Sequence, residues 1–227
     1  MDEITMHPIA HVRNGFSGKF GIPRQSGLTS TVSRIVFLPK YRNADAFRGL
    51  EGYSHLWIIW LFSEAHGKEW SPTVRPPKLG GNERMGVFST RSPFRPNSIG
   101  LSSVKLRKII SDPTLGVILE VEGADIMDGT PVLDVKPYLP YTDCHEDASG
   151  GFALQDKNGS LSVNVPSDLT KNLPAGFLSE LSEILAQDPR PAYHDDPDRI
   201  YKFEYLGYEI AFSVENSTAT VKNIAKL

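Results

Sequence analysis

The feature that most limits the possible folds is a succession of short segments rich in β-branched and aromatic residues, which fills the first 137 residues. Clusters of Gly, Pro, Asn or Asp separate these segments, as turns separate strands. Many short strands in succession favour a barrel or a sandwich over alternating strands and helices. We therefore predict a mainly β domain over residues 1–140. Its expected strands are 31–37, 53–62, 86–90, 99–109, 116–123 and 132–136, with one short helix at 43–52, capped by Asn43 and stopped by Gly52.

The rest of the chain has a different pattern. Residues 141–165 are polar and contain glycine, which is typical of a linker. A helix is predicted at 174–186, because Phe177, Leu181, Ile184 and Leu185 fall on one face. Two alternating runs within 200–215 then predict a hairpin. Residues 166–227 are thus expected to form a small α+β domain.

Composition narrows the classes of protein. The longest apolar run, 56-LWIIWLF-62, is much shorter than the ~18 residues that would cross a membrane, and it favours a buried strand. The N-terminus, MDEITMHPIA, is acidic where a secretory signal is basic. Cys144 is the only cysteine, so no internal disulfide or thiolate metal cluster is expected. A soluble, cytoplasmic protein with no membrane contact is predicted.

The net charge of −3 hides an asymmetry between the two halves. Residues 1–110 carry 16 basic and 7 acidic residues, whereas residues 111–227 carry 8 and 20. Such a split indicates either that the first half meets a polyanion or that the two halves attract each other, in the fold or across a dimer. Charge alone leaves both possibilities open.

Two consecutive basic loops favour the first possibility. They are 74-VRPPKLGGN-82 and 89-STRSPFRPNSIGLS-102. Prolines restrict the backbone around Arg75, Arg91 and Arg95, so less conformational entropy is lost when these side chains bind an anion. A single loop of this kind would be interpreted as a surface turn; two together predict a ligand-binding or RNA-binding surface, with Lys78 as a further cation.

Other segments suggest contacts with a small ligand. Three carboxylates, Asp125, Asp128 and Asp134, lie near expected strand ends, but no histidine is spaced to join them and no metal is predicted. A contact with a cationic ligand or ribose hydroxyls fits them better. Arg24 and Gln25, in the proline-containing loop 22–27, present planar polar groups. The glycine fingerprint of dinucleotide-binding folds and the common hydrolase motifs are absent, so these patterns do not name a reaction.

The motifs together resemble the TsaA/TrmO-type methyltransferases. The resemblance rests on PRQ-x-G-L, GLEGYSHLW, VRPPKLGGN, GVFSTRSPFRPNSIGLS, DGTPVLDVKPYLPY and DPRPAY, in that order. The matching blocks run from about residue 4 to 141 and resume at 188–215. It implies an S-adenosylmethionine (SAM) binding β-barrel that lacks the Rossmann fold, a C-terminal domain that assists tRNA binding, and a homodimer. The implied reaction is methylation of N6 of threonylcarbamoyl-adenosine, next to the tRNA anticodon.

The resemblance also implies site residues. The cofactor is expected at Pro23, Arg24, Gln25, Ser63, Glu64, Arg91, Leu101, Asp125, Ile126, Met127 and Asp128. Contacts with tRNA are expected from Arg75, Lys78, Arg95 and Tyr138. Asp125 and Asp128 are the candidate catalytic bases, because the acceptor nitrogen is a weak nucleophile until its proton leaves.

This chain departs from the family pattern at three positions. Ser63 stands where His is frequent, Ser98 where Pro is frequent and Lys78 where Arg is frequent. The first departure supports an alternative function, a non-catalytic RNA- or nucleotide-binding barrel on the same scaffold.

Overall fold

The computed structural model describes residues 3–79, 81–154, 160–190 and 196–227. A mainly β protein with two cores is observed, which confirms the predicted fold class. The strands are β1 (Ala10–Arg13), β2 (Val32–Phe37), β3 (His55–Leu61), β4 (Thr73–Val74), β5 (Met85–Gly86), β6 (Ile99–Asp112), β7 (Gly116–Glu122), β8 (Pro131–Pro137), β9 (Ser162–Asn164), β10 (Tyr201–Tyr205), β11 (Tyr208–Glu215) and β12 (Thr218–Lys226). The α-helices are α1 (Pro140–Asp143) and α2 (Phe177–Ala186).

The first domain is a closed antiparallel barrel in the order β1-β2-β7-β6-β3-β8. Its strands alternate as the sequence predicts: Leu56, Ile58 and Trp60 of β3 point into the core, and the residues between them are half-buried. β6 is long enough to pair with β3 through its first half and with β7 through its second half. The first half of β6 therefore lies beside Asp125, which follows β7 in the chain.

Two local predictions in the barrel were wrong. The helix expected at 43–52 is replaced by two 3-10 turns, Ala44–Phe47 and Leu50–Gly52, because Gly49 between them adopts a left-handed conformation (φ 87°) that interrupts a helix. Asn43 does cap the first turn, since its side chain accepts a hydrogen bond from the backbone N–H of Asp45. Of the strand expected at 86–90, only Gly86 is extended in β5, and Val87–Ser89 form another 3-10 turn.

The second domain is a sheet in the order β10-β11-β12-β9, covered by α2. The predicted hairpin is confirmed, with Tyr201 opposite Phe212 and Phe203 opposite Ile210. All four residues of the predicted helical face are buried. Sequence analysis missed β12, and also β9, which lies inside the segment expected to be a linker and pairs in parallel with β12.

Candidate active site

Asp125 lies three residues after β7, against the first half of β6. Its Oδ1 accepts a hydrogen bond from Oγ of Ser102 at 2.5 Å, and Oγ of Ser102 accepts one from Nε1 of Trp60 at 3.0 Å. Ser102 and Trp60 are buried. These three side chains form a continuous relay, called here the Trp60–Ser102–Asp125 relay, that fixes the carboxylate in one orientation.

Gly100 makes this relay possible. A Cβ added at this position would lie 2.3 Å from Cε2 of the Trp60 indole, a distance that side-chain carbons do not tolerate. Gly100 is paired with Trp60 across β6 and β3. Because position 100 carries no side chain, the indole can lie across it and direct its N–H toward Ser102.

Burial raises the pKa of Asp125 above its usual value. The hydrogen bond from Ser102, backbone N–H groups including that of Ser26, and the positive charge of Arg91 act in the opposite direction and are weaker. A carboxylate in this environment accepts a proton more readily than an exposed one does, which suits a general base.

Arg91 and Gln25 reach the same place from two other segments. Nη1 of Arg91 donates a hydrogen bond to Oε1 of Gln25. This bond joins the basic loop 89–98 to the connection between β1 and β2, called here the β1–β2 loop (residues 14–31). The structure thus brings together Gln25, Arg91 and Asp125, which lie far apart in the sequence.

Asp128, the other candidate base, has different surroundings. Its Oδ1 accepts a hydrogen bond from the backbone N–H of Asn14 at 2.9 Å, and its Oδ2 lies 3.5 Å from Nη1 of Arg13. The carbonyl of Ile126 accepts a bond from Nδ2 of Asn14 at 2.7 Å, and Met127 between them is half-buried. Asp128 therefore holds the start of the β1–β2 loop, and the geometry favours Asp125 as the base.

Three further residues expected to bind the cofactor lie just after β3 and in the first half of β6: Ser63, Glu64 and Leu101. Ser63 and Glu64 follow the end of β3 and are exposed; Glu64 forms an ion pair with Lys19 of the β1–β2 loop at 2.5 Å. The hydrogen bond and charge of Lys19 lower the pKa of Glu64. Leu101 is 52% exposed and, by strand alternation, points away from the face that carries Ser102.

Arg24 and Pro23 turn toward the second domain. Pro23 is buried, and Nη2 of Arg24 donates to the carbonyl oxygens of Asp188 at 3.1 Å and Arg190 at 2.8 Å. This terminal nitrogen of Arg24 is thus used as a link between the two domains.

Among the residues expected to bind tRNA, Arg75 is exposed and Arg95 is half-buried. Nη1 of Arg95 donates to the carbonyl of Thr90 at 3.0 Å, which braces its own loop. Lys78 belongs to the 3-10 turn Pro77–Leu79, and its side chain lies outside the described part of the structure.

Tyr138 is not brought to the cluster. Its ring packs against Trp57 and His55, with centroids 5.5 and 6.2 Å apart, beside the start of β3. Ser63 and Glu64 follow the other end of that strand.

Ser102, Trp60 and Gly100 were not predicted as site residues. Alternation along β6 places Gly100, Ser102 and Val104 on one face, and a serine on an otherwise apolar face was the available signal. Within residues 3–79, 81–154, 160–190 and 196–227, no helix is long and apolar enough to cross a membrane, and no cluster of metal-ligating side chains was found.

Comparison with protein families gives two matches that follow one another along the chain. Residues 11–144 match the tRNA-methyltransferase O N-terminal domain, and residues 163–227 match the TrmO C-terminal domain. The chain belongs to the TrmO family. The matched ranges correspond to the barrel and to the second sheet.

Individual TrmO relatives agree with this. The tRNA (adenine(37)-N6)-methyltransferase of Escherichia coli is 43% identical over 201 residues, which is 85% of either chain, and that of Eikenella corrodens is 45% identical over 173 residues. A probable S-adenosyl-L-methionine-binding protein of Methanothermobacter thermautotrophicus is 38% identical over 136 residues, 90% of its length. The crystal structure of TrmO from Pseudomonas aeruginosa covers 100% of this chain with a TM-score of 0.79 and 31% identity.

Proposed function

We propose that this TrmO chain transfers a methyl group from SAM to N6 of adenine 37 in tRNA, and that its substrate carries the threonylcarbamoyl group. The observation that carries the proposal is the partly buried carboxylate of Asp125, which the Trp60–Ser102–Asp125 relay orients and which the charge of Arg91 reaches. The tRNA (adenine(37)-N6)-methyltransferases among the relatives support the reaction, and the SAM-binding relative supports the donor.

The residues present fit SAM. Its methionine part carries a carboxylate, and the site offers the guanidinium of Arg91 for this charge. Gln25 supplies an amide, and Ser63 and Glu64 supply further polar groups at the rim. When bound, SAM supplies a methyl carbon that its sulfonium makes electrophilic.

Asp125 would act on the acceptor nitrogen. In threonylcarbamoyl-adenosine the N6 lone pair is drawn into the purine and the urea carbonyl, so the nitrogen reacts only as its proton leaves. The carboxylate of Asp125 would accept this proton as the nitrogen takes the methyl group that bound SAM would supply. Burial moves the pKa of Asp125 upward, toward neutral pH, which makes its carboxylate a stronger base. The hydrogen bond from Ser102 keeps Oδ1 aligned during the proton transfer.

The basic loops would hold the tRNA. Arg75, Lys78 and Arg95 suit phosphates and the threonyl carboxylate, because guanidinium and ammonium groups form charge-assisted hydrogen bonds with such anions. Tyr138 would contact the RNA farther along the barrel wall, where stacking on an unpaired base is available to an aromatic side chain. In this division of roles, residues 1–140 carry out the chemistry, the connecting segment ends before β9, and the second sheet with α2 assists tRNA binding.

We also propose that the working form is a cytoplasmic homodimer. Large apolar side chains in the segment between β3 and β6, including Trp70 and Phe88, are exposed in the single chain and would be covered by a second copy. Size-exclusion chromatography with light scattering tests this. A monomer at micromolar concentration would refute the dimer without affecting the proposed reaction.

The deciding experiment for the function combines the protein, methyl-labelled SAM and tRNA with or without the threonylcarbamoyl group. Label is expected in the modified tRNA alone, at N6 of the nucleoside next to the anticodon. If SAM bound but neither tRNA were labelled, the result would favour the alternative, a non-catalytic RNA- or nucleotide-binding barrel. The methyltransferase relatives do not support that alternative.

A further inference from the structure

The β1–β2 loop belongs to both domains. It leaves and re-enters the barrel, yet Phe16 is fully buried in the second core, and Phe20 and Ile22 pack against the same core. The Phe20 ring lies 6.2 Å from Phe203 in an edge-on arrangement. These side chains would be exposed without the second domain, so the conformation of the loop depends on it.

Glu183 of α2 holds the end of this loop. Its Oε1 accepts a hydrogen bond from Oγ of Ser30 at 2.9 Å, and its Oε2 accepts one from the backbone N–H of the same residue. One carboxylate thus fixes both the side chain and the main chain of Ser30. Hydrogen bonds to a charged acceptor are stronger than bonds between neutral groups.

A second contact holds the middle of the loop. The two carbonyl oxygens that accept from Arg24 belong to the turn Asp188–Arg190, just after α2. An ion pair between Asp188 and Arg190, at 2.8 Å and with both side chains 11% exposed, fixes that turn. The carbonyls therefore stand at defined positions before Arg24 reaches them.

The other side of the same segment faces the candidate active site. Gln25 accepts from Arg91, and the hydrogen bond from the backbone N–H of Ser26 partly opposes the rise in the pKa of Asp125 that burial causes. The N–H of Gly27 donates to the carbonyl of Gly123 at 2.8 Å, two residues before Asp125. A segment of six residues, 25–30, thus includes both the contact with the active site and the contact with Glu183.

We propose that Glu183 is a positioning residue for the SAM site, acting through Ser30 on the loop segment 22–30; this proposal rests on the proposed function. The C-terminal domain then contributes to donor binding as well as to tRNA binding. If Glu183 served only to join the domains, its loss would lower stability and leave the affinity of the folded protein for SAM unchanged. The two roles therefore predict different measurements.

The test compares E183Q with E180Q in the full-length protein. Glu180 is a matched control, because it lies on the same helix and bonds to Oη of Tyr205 inside its own domain, at 2.8 Å. Loss of the charged acceptor should lower the fraction of molecules with an ordered loop and raise the Kd and KM for SAM about tenfold, with kcat changed less than about twofold. The backbone amide hydrogens of residues 22–30 should exchange with solvent faster in E183Q than in the wild type, and at the wild-type rate in E180Q.

Ser30→Ala serves as a second variant, since it removes only the side-chain bond and leaves the fold less disturbed. It should raise the KM for SAM in the same direction by a smaller factor, and E183Q should add less in its presence than alone. Unchanged SAM affinity and unchanged amide exchange in both variants would overturn the proposal. Failure of the wild-type protein to bind SAM would instead refute the proposed function, and amide exchange would then decide alone whether Glu183 orders the loop.

Discussion

The barrel and the C-terminal domain are both built on β-sheets, but their interiors differ. The barrel core is largely aliphatic. Ser102 is buried in the barrel and donates a hydrogen bond to Asp125. The second core is rich in aromatic rings, and Phe16 and Phe20 within it come from the barrel's own loop. The barrel thus keeps a partly desolvated carboxylate available for chemistry, whereas the second domain uses its packing to hold a segment of its neighbour.

The largest effect is expected from removing the carboxylate of the barrel. Asp125→Asn should lower kcat by about 10²- to 10⁴-fold, the usual contribution of a general base. Single-turnover methylation of modified tRNA measures this. Asp128→Asn is the control, since the same chemical change there affects a loop contact and should leave kcat within about fivefold.

Asp125→Asn should not destabilise the protein at neutral pH. Because the pKa of Asp125 is raised, the folded protein binds the proton of this carboxyl group more tightly than the unfolded chain does. The stability of the wild type therefore falls as the pH rises from 3.8, the usual pKa, through the raised pKa of the folded protein. Asn carries no charge and escapes that loss. A markedly lower melting temperature for Asp125→Asn at pH 7 would contradict the proposed desolvation of Asp125.

The next largest effect tests whether the loop belongs to the second core. Phe20→Ala should lower the free energy of unfolding by about 2–3 kcal/mol, somewhat less than for a fully buried ring. Tyr141→Ala is the matched control, because Tyr141 is 86% exposed and its loss should change stability by less than about 0.5 kcal/mol. Chemical denaturation measures both values. Equal stability of the two variants would show that the loop is not anchored in that core.

A smaller effect is expected within the relay. Ser102→Ala removes a hydrogen bond that lowers the pKa of Asp125, so that pKa should rise further and the acid limb of the pH profile of kcat should move to higher pH. The rate below neutral pH should fall by at most about tenfold. Ser103→Ala, one residue along β6, should leave the profile in place. An unshifted profile in Ser102→Ala would remove Ser102 from the relay.

The smallest effect concerns the charged surface. Arg75→Ala and Arg95→Ala should each weaken tRNA binding and reduce the slope of log affinity against log salt by about one, if each neutralises one phosphate. Filter binding at several salt concentrations measures the slopes. Lys222→Ala, in the exposed part of β12, is a control for loss of a positive charge in the acidic domain. If Arg95→Ala kept the wild-type slope, Arg95 would only brace its loop through Thr90.

The sequence predicted much of the fold because alternation and helical periodicity are local. The inward residues of β3 and the buried face of α2 followed from spacing alone. The helix at 43–52 failed because the left-handed backbone of Gly49 depends on the path of the chain around it. Strand β9 was missed because a three-residue strand carries too little pattern and pairs with β12, more than fifty residues away.

The candidate site could be predicted only in part for the same reason. The residue types at Gln25, Arg91 and Asp125 stood out in their motifs, but their proximity is a property of the closed barrel. The environments of Asp125 and Asp128 differ through contacts with Ser102 and Asn14, which lie 23 and 114 residues away along the chain. No local pattern distinguishes two aspartates that follow the same strand.

The way the β1–β2 loop is inserted into both cores has a topological consequence. A protease that cut the exposed segment after Asp143 would break the covalent link between the barrel and the second domain. Phe16 of the barrel fragment would still pack in the second core, and Arg24 would still donate to the carbonyl of Asp188. The two pieces should migrate together until denatured. The β1–β2 loop is synthesised early, but the core in which it packs includes residues of β12. The loop can therefore reach its final packing only after β12 has been synthesised.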